Sequence, residues 1–228
     1  MQKTLIIACL FLFGSHVLLL SAQEQKLPTG FVYLKETAPS IQSELRYLSN
    51  NNFIGKPIDG YQGNRIIISK PTADALQKIQ KELATKQLGL KIFDAYRPQQ
   101  AVDHFVRWAG ILSDTLMKEY YYPSVDKSAL FKKGYIASKS SHTRGSTVDL
   151  TLVDLRTGKE LDMGSPYDFF GIQSHLNYPK LTKKQQTNRM LLRAVMGSNG
   201  FAPYKNEWWH FTLKKEPFPR TYFNFPIR

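Results

Sequence analysis

Residues 138–155 read SKSSHTRGSTVDLTLVDL, and this stretch decides how the rest of the chain is understood. Its second half alternates. Val148, Leu150 and Leu152 fall on one face, and Thr147, Asp149 and Thr151 on the other, the period-two pattern of a strand with one side in a core. Asp149 interrupts that strand with a charge. A carboxylate on a strand inside a folded domain is costly unless something pairs with it. Seven residues upstream stands His142, in a Ser/Gly-rich approach to the strand. An imidazole and a carboxylate delivered to one strand point to a metal ion, with the rest of its site elsewhere in the chain.

The supply of other ligands is small. The one cysteine is Cys9, close to the N-terminus, so a site in the body of the protein draws on His, Asp and Glu. Of five histidines, His16 lies in the apolar N-terminal run, His104 in a helical stretch beside Asp103, and His175 in the loop QSHLNYP. His210 differs. It sits in NEWWHFTL (206–213), a short aromatic strand, and with His142 and Asp149 makes a His/Asp/His set. Three protein ligands and an open position form the pattern of a catalytic zinc site, where the pKa of bound water falls to about 7. Other first-row divalent ions suit the same donors.

Such chemistry needs a base that does not itself bind the metal. Glu207, three residues before His210, fits. An odd spacing puts two residues on opposite faces of an ideal strand, so a bulge or a strand start is expected between them. Arg97, in DAYRP (94–98), lies where a strand passes into a helix, and is the candidate cation for an oxyanion developing on an attacked carbonyl.

The remaining pattern is mixed. Short strands are expected near Phe31–Leu34 and Glu44–Tyr47, then a strand or helix lead-in at NRIIIS (64–69). Ala73, Leu76, Ile79 and Leu83 mark a helix from Pro71, which Gly89 ends. LKIFDAY (90–96) reads as a strand, and Pro98 opens a second helix through Ala101, Phe105 and Trp108. Thr182 and Gln185 form a capping-box pattern before a helix carrying Met190, Leu191, Ala194 and Val195, closed by Gly197 or Gly200. The order lacks regular β-α alternation. It implies an α+β fold, a single domain with a central antiparallel sheet and helices packed on it.

Composition agrees with one folded domain. The 228 residues are 42% hydrophobic and 13% aromatic, enough to bury a core. The net charge of +13 would suit nucleic acid or an anionic envelope surface, but no run of five Lys/Arg and no nucleic-acid motif accompanies it, so no nucleic-acid partner is expected. The N-terminus has the form of a secretory signal peptide: Lys3, an apolar core from Leu5 to Leu20, then Ser21 and Ala22. Residues 1–22 are read as the leader and 23–228 as the functional domain, with a periplasmic or secreted location and no stable membrane insertion after cleavage. An uncleaved anchor is the alternative. Against it, the apolar run falls short of the roughly 20 residues a spanning helix needs, and Gly14, Ser15 and His16 interrupt it.

Five stretches together resemble a known family. SSHTRGSTVDLTL (140–152) carries the pattern S-x-H-x-x-G-x-x-x-D, EWWHF (207–211) the pattern E-x-x-H, and DAYRP an arginine segment. SELRYLSNNNFIGKPIDGY (43–61) and DMGSPYDFF (162–170) resemble its aromatic stretch and substrate loop. In this order, over most of residues 27–215, they are similar to the VanX-type D-alanyl-D-alanine dipeptidases, zinc D,D-peptidases with a hedgehog-like fold. The resemblance implies one zinc ion held by His142, Asp149 and His210, Glu207 as general base and Arg97 stabilising the tetrahedral intermediate. It further implies Asp168 binding the free ammonium of a small D,D-dipeptide and Ser140 positioning the substrate.

Thr147 stands where the wider family often has Ala, and lies two before Asp149 on the same strand face. Glu44 stands where Asp is more usual. Cytoplasmic members destroy cell-wall precursors and give glycopeptide resistance; an exported one would meet dipeptide released by wall turnover. Two other readings stay open here. One is a peptidoglycan D,D-carboxypeptidase or endopeptidase with the same zinc chemistry, against which Asp168 stands. The other is a non-catalytic zinc-containing module binding anionic wall polymers, against which Glu207 and Arg97 stand.

Overall fold

A computed structural model describes residues 26–228; the leader expected at residues 1–22, with Cys9 and His16, lies outside the described residues. The chain begins with β1 (Phe31–Tyr33), the single turn α1 (Leu34–Thr37), β2 (Gln42–Ser43) and β3 (Ile67–Ser69). Helix α2 (Lys70–Ala84), β4 (Leu88–Asp94), α3 (Gln99–Gly110) and the short α4 (Lys118–Tyr121) follow. The second half holds β5 (Thr147–Asp154), α5 (Lys183–Ser198), β6 (Phe201–Tyr204) and β7 (Glu207–Leu213). Among the described residues β1 and β3 form an antiparallel pair, and the other strands make a sheet in the order β2-β4-β5-β7-β6. Its ladders are antiparallel except β2 with β4, which run parallel. The α+β single domain expected from the sequence is therefore what forms, with a short parallel edge.

Placing β5 in the middle of this sheet explains its composition. Every residue from Thr147 to Val153 is buried. Val148, Leu150 and Leu152 join the hydrophobic core, to which α2 contributes Ala73, Leu76, Ile79 and Leu83. The Thr147/Asp149/Thr151 face is buried too, with Thr147 against Thr212 and Asp149 against two imidazoles. Register then does the assembling. Asp149 pairs directly with His210 of β7 and, on its other side, with Asp94 of β4, where a bulge shifts the ladder between Ile92 and Asp94. Directly opposed residues have Cβ atoms about 4.5–5.5 Å apart, so three ionisable side chains from three strands are brought together by pairing alone.

The odd spacing of Glu207 and His210 is resolved as anticipated. Strand β7 starts at Glu207, and its ladder with β6 shifts, Pro203 facing Phe211 but Tyr204 facing Glu207. Helix α5 begins with the expected capping box: Thr182 Oγ1 accepts from Gln185 N at 3.3 Å, and Gln185 Oε1 accepts from Thr182 N at 2.9 Å.

Three local expectations are corrected. Gly89 does not end a helix; α2 ends at Ala84, the chain turns through Gln87 at φ +57°, and Gly89 lies inside β4. Its role there is close packing, since an added Cβ would meet Leu155 Cδ2 at 2.8 Å. The stretch Glu44–Tyr47 is not a strand; β2 is only Gln42–Ser43, and Arg46–Leu48 form a 3-10 turn that buries Tyr47. On α5 the buried face carries Asn188, Arg189, Leu192, Val195 and Met196, while Met190 is exposed. Two polar residues hold inward positions because they hydrogen-bond to a loop below, which hydrophobic periodicity does not register.

Thr182→Ala removes the cap and is expected to destabilise the fold by about 1 kcal/mol, read as a lower urea midpoint at unchanged slope; an unchanged midpoint would show that α5 does not depend on its box.

Candidate metal centre and active site

Three nitrogen and oxygen atoms form a small triangle at the centre of the sheet. His210 Nδ1 lies 3.1 Å from Asp149 Oδ1, His142 Nε2 lies 3.3 Å from the same oxygen, and the two ring nitrogens are 3.3 Å apart. Ligand atoms placed tetrahedrally at about 2.0–2.1 Å from zinc are roughly 3.3 Å from one another, so the triangle has the size of one face of such a site. Asp149 Oδ1 is buried and, among the described residues, has no hydrogen-bond partner. That is the position of an atom reserved for an ion. These three residues are the group able to hold a metal among the described residues.

The outer contacts orient the ligands. His142 lies within a 3-10 turn, Ser141–Arg144, which ends at Gly145 with φ +80°; an added Cβ there would meet Phe31 Cε1 at 2.2 Å. His142 Nδ1 donates to Ala95 O at 2.7 Å. A carbonyl only accepts, so the hydrogen is on Nδ1 and Nε2 is left with its lone pair toward the triangle. On His210 the far nitrogen, Nε2, is 3.3 Å from Ser141 Oγ, leaving Nδ1 for the triangle. Burial, helped by Arg97, lowers the pKa of His142, which favours the neutral form that ligates. At His210 burial acts downward but is outweighed by the Asp149 carboxylate, and the pKa rises. Burial alone would raise Asp149; the two imidazoles hold it well below the ordinary carboxylate range.

Arg97 is fixed by a residue that was not singled out in the sequence. Asp94, fully buried at the end of β4, accepts from Arg97 Nε at 2.9 Å and lies 2.8 Å from its Nη2. It also accepts from Tyr61 OH at 2.6 Å. Burial raises Asp94 against the pull of Arg97. The guanidinium packs about equally against the Tyr47 and Phe105 rings, 5.2 Å from each centroid, and its Nη2 is 3.6 Å from Asp149 Oδ2. The signal for Asp94 was its i,i+3 spacing from Arg97 in DAYRP.

All seven residues picked from the sequence, Arg97, Ser140, His142, Asp149, Asp168, Glu207 and His210, line one cavity of about 230 Å³. That is below the roughly 300–1,000 Å³ of drug-sized pockets, so its occupant is small. Glu207 Oε2 lies 3.5 Å from His210 Nδ1, beside the triangle but outside it, and burial pushes its carboxyl up to about 7. Ser140 is half-buried, its Oγ accepting from His142 N at 3.3 Å at the start of the 3-10 turn.

Asp168 occupies the loop before α5 in a left-handed conformation, φ +61°, and burial, with the Asp149 charge, pushes its pKa well above the ordinary carboxylate value. It faces the cavity, and among the described residues no Lys or Arg forms an ion pair with it, Arg97 acting on it only from a distance. Tyr47 OH donates to Asp168 Oδ2 at 2.9 Å, and the Tyr167 hydroxyl lies 3.2 Å from Tyr47 OH and 3.3 Å from Asp149 Oδ2. These tyrosines were legible only as aromatic core.

The remaining sequence features lie apart. His104 accepts from Asp59 N at 3.2 Å on the outside of α3, and His175 Nε2 is 3.3 Å from Tyr135 OH. Thr147 Oγ1 is 2.8 Å from Thr212 Oγ1 across the β5–β7 ladder, one same-face rung from the Asp149–His210 pair. Glu44 pairs with Arg46 and Lys91 at the sheet edge.

A His/Asp/His triangle inside a sheet, facing a separate carboxylate and an anchored guanidinium across a small cavity, defines a metal-dependent hydrolase. Comparison with known proteins is more specific. The model of the Peptidase_M15 family, described as D-ala-D-ala dipeptidase, matches residues 28–228, and the chain belongs to this family. It is 46% identical over 201 residues to a D-alanyl-D-alanine dipeptidase of Enterococcus faecalis, covering 88% of this chain and 100% of that protein. It is 43% identical over 199 residues to one from Enterococcus faecium, covering 87% and 98%. Among solved structures, the vancomycin-resistance D,D-pentapeptidase VanY in complex with Zn(II) aligns with TM-score 0.40 and 13% identity over 68% of this chain and 76% of that one. The protein is a zinc metallopeptidase.

Removing Asp94 leaves the Arg97 guanidinium buried without its carboxylate. Asp94→Ala is expected to cost about 3–5 kcal/mol of stability, measured by chemical denaturation; a loss under about 1 kcal/mol would mean that Asp149 alone holds Arg97.

Proposed function

We propose that this chain hydrolyses D-alanyl-D-alanine to two D-alanines, and does so outside the cytoplasmic membrane. The observation that carries the substrate reading is Asp168, a buried carboxyl facing the same 230 Å³ cavity as the metal triangle. A cavity of this size, with an acid opposite the chemistry, suits a free dipeptide whose ammonium supplies the missing cation. It disfavours a capped or internal peptide, which brings no cation to a buried acid.

His142, Asp149 and His210 would hold the zinc. Bound there, the ion would acidify a water and polarise the scissile carbonyl. Glu207 accepts the proton of the attacking water, a role that asks for a carboxylate near the operating pH, and returns it to the leaving amine. Arg97, held by Asp94 and packed against the Tyr47 and Phe105 rings, presents the donors that stay toward the cavity to the developing oxyanion at no reorganisation cost. Asp168 holds the ammonium, with Tyr47 fixing its carboxyl, and Ser140 lies against the substrate beside His142. Support for the place of action is the leader-like sequence of residues 1–22; a protein exported by it meets dipeptide released in wall turnover. Among the described residues no helix is long and apolar enough to cross a membrane.

Purified residues 23–228 are expected to release alanine from D-Ala-D-Ala in a chelator-sensitive reaction and to leave N-acetyl-D-Ala-D-Ala intact. Release from the capped peptide as well would move the protein to wall-peptide carboxypeptidases. Glu207→Gln should retain zinc and lose about 10²–10⁴-fold in kcat; turnover equal to the parent would remove Glu207 from the role of base.

The pH profile follows with a definite sign. The base works deprotonated, so kcat/KM falls as pH drops through its pKa. Burial sets that near 7 and the positive charge of a bound ion draws it lower, placing the acid limb at or below neutral pH. A rate that rises on acidification across this range would contradict the assignment.

A further inference from the structure

Asp168 holds its position against two local costs. It is a non-glycine residue in the left-handed region, at φ +61°, and its carboxyl is buried. Strained conformations of this kind persist only where the surroundings over-determine them. Much of what determines this one comes from α5. Arg189, itself buried, reaches into the loop and donates from Nε to Met163 O at 2.5 Å, from Nη2 to Gln173 O at 2.7 Å and from Nη1 to His175 O at 2.9 Å. Met163 precedes Asp168 and the other two follow it, so one guanidinium ties the two arms of the loop together.

Among the described residues no carboxylate lies within ion-pair distance of Arg189. A buried cation held by carbonyl dipoles and the Trp208 ring, 5.9 Å from its guanidinium carbon, with no carboxylate in direct contact, is an expensive arrangement when a neutral residue would pack as well, which sets this side chain apart from an ordinary core position. On the same helix, Gln185, one turn before Arg189, donates from Nε2 to Asp162 Oδ2 at 3.0 Å, and the adjacent Asn188 donates from Nδ2 to Asp162 O at 2.8 Å. From the other side Trp208 Nε1, next to Glu207, donates to Ser165 Oγ at 3.0 Å. Arg189 does not itself line the catalytic cavity.

We infer that Arg189 is a positioning residue for the substrate loop: by fixing residues 163–175 from both arms it holds Asp168 at the distance from the metal triangle that a dipeptide spans, and so sets both affinity for the free dipeptide and discrimination against N-capped ones. The inference rests on reading Asp168 as the ammonium partner. It assigns Arg189 no contact with substrate and no part in the proton transfers, so the step it governs is binding. A lysine in its place keeps the charge but offers its donors from one point, and does not reach carbonyls on both arms at once.

The test measures kcat, KM, zinc content and the ratio of kcat/KM for D-Ala-D-Ala over N-acetyl-D-Ala-D-Ala in R189Q, R189K and D168N. Both Arg189 variants should raise KM by about tenfold or more, lower the free-over-capped ratio, and keep kcat within about twofold with full zinc. A merely structural role would lower the melting temperature and leave KM and the ratio of the folded enzyme unchanged. R189K provides the reading if R189Q does not fold. KM and ratio within about twofold of the parent in the folded variant, or a fall in kcat at constant KM, would overturn the inference. D168N separates it from its premise. An unchanged KM in D168N overturns the ammonium reading and with it the route by which Arg189 acts; a raised KM there beside an unchanged one in R189Q or R189K overturns the Arg189 inference alone.

Discussion

Two carboxylates face each other across neighbouring strands at the centre of this protein. Asp94 and Asp149 are cross-strand partners, both buried, and like charges so placed repel. The structure around them supplies positive or polarisable groups in order. Arg97 takes Asp94, and the two imidazoles flank Asp149 while leaving its Oδ1 without a hydrogen bond. The fold tolerates this pair because an ion and a guanidinium belong to it.

Much of the remaining architecture keeps that arrangement rigid. The C-terminal segment closes over the 3-10 turn that carries His142: Phe223 N donates to Thr143 O, Gln99 N at the start of α3 donates to Phe223 O, and Arg144 pairs with Glu216 through two bonds of 2.7 and 2.8 Å. Phe31 lies among Phe218, Phe223 and Phe225 and against Tyr96, joining β1, the tail and the arginine segment in one aromatic cluster. Such packing transmits small displacements directly, which is how residues remote from the cavity come to matter for its dimensions. Opposite the tail, α5 grips the loop of Asp168. The site is thus held by sheet register on one side and by a clamped loop on the other.

The sequence was informative where one residue carries a local contradiction. Asp149 on an alternating strand, His210 among tryptophans and Glu207 at an odd spacing each announced a function, and each lines the cavity. Pairings between distant segments were not legible. Asp94 read as part of a strand because its partner Tyr61 is 33 residues away and its bulge depends on β5. Tyr47 and Tyr167 read as core because a phenol in the sequence does not show where its hydroxyl ends. Gly89 reads as a helix stop in the sequence because its role, closeness to Leu155, is a tertiary fact. Arg189 was missed for the same reason: polar residues on a buried helix face weaken the periodic signal that identifies the face.

The central claim is that Asp149 is kept buried for an ion. Its most direct test is calorimetric titration of zinc into chelator-stripped protein, with Asp149→Asn alongside. The account predicts one ion per chain for the parent and a gain of about 2.7 kcal/mol in stability at a free zinc concentration 100 times Kd, with both absent or greatly reduced in the variant. Zinc binding of equal affinity by Asp149→Asn, or no binding by the parent, would contradict it.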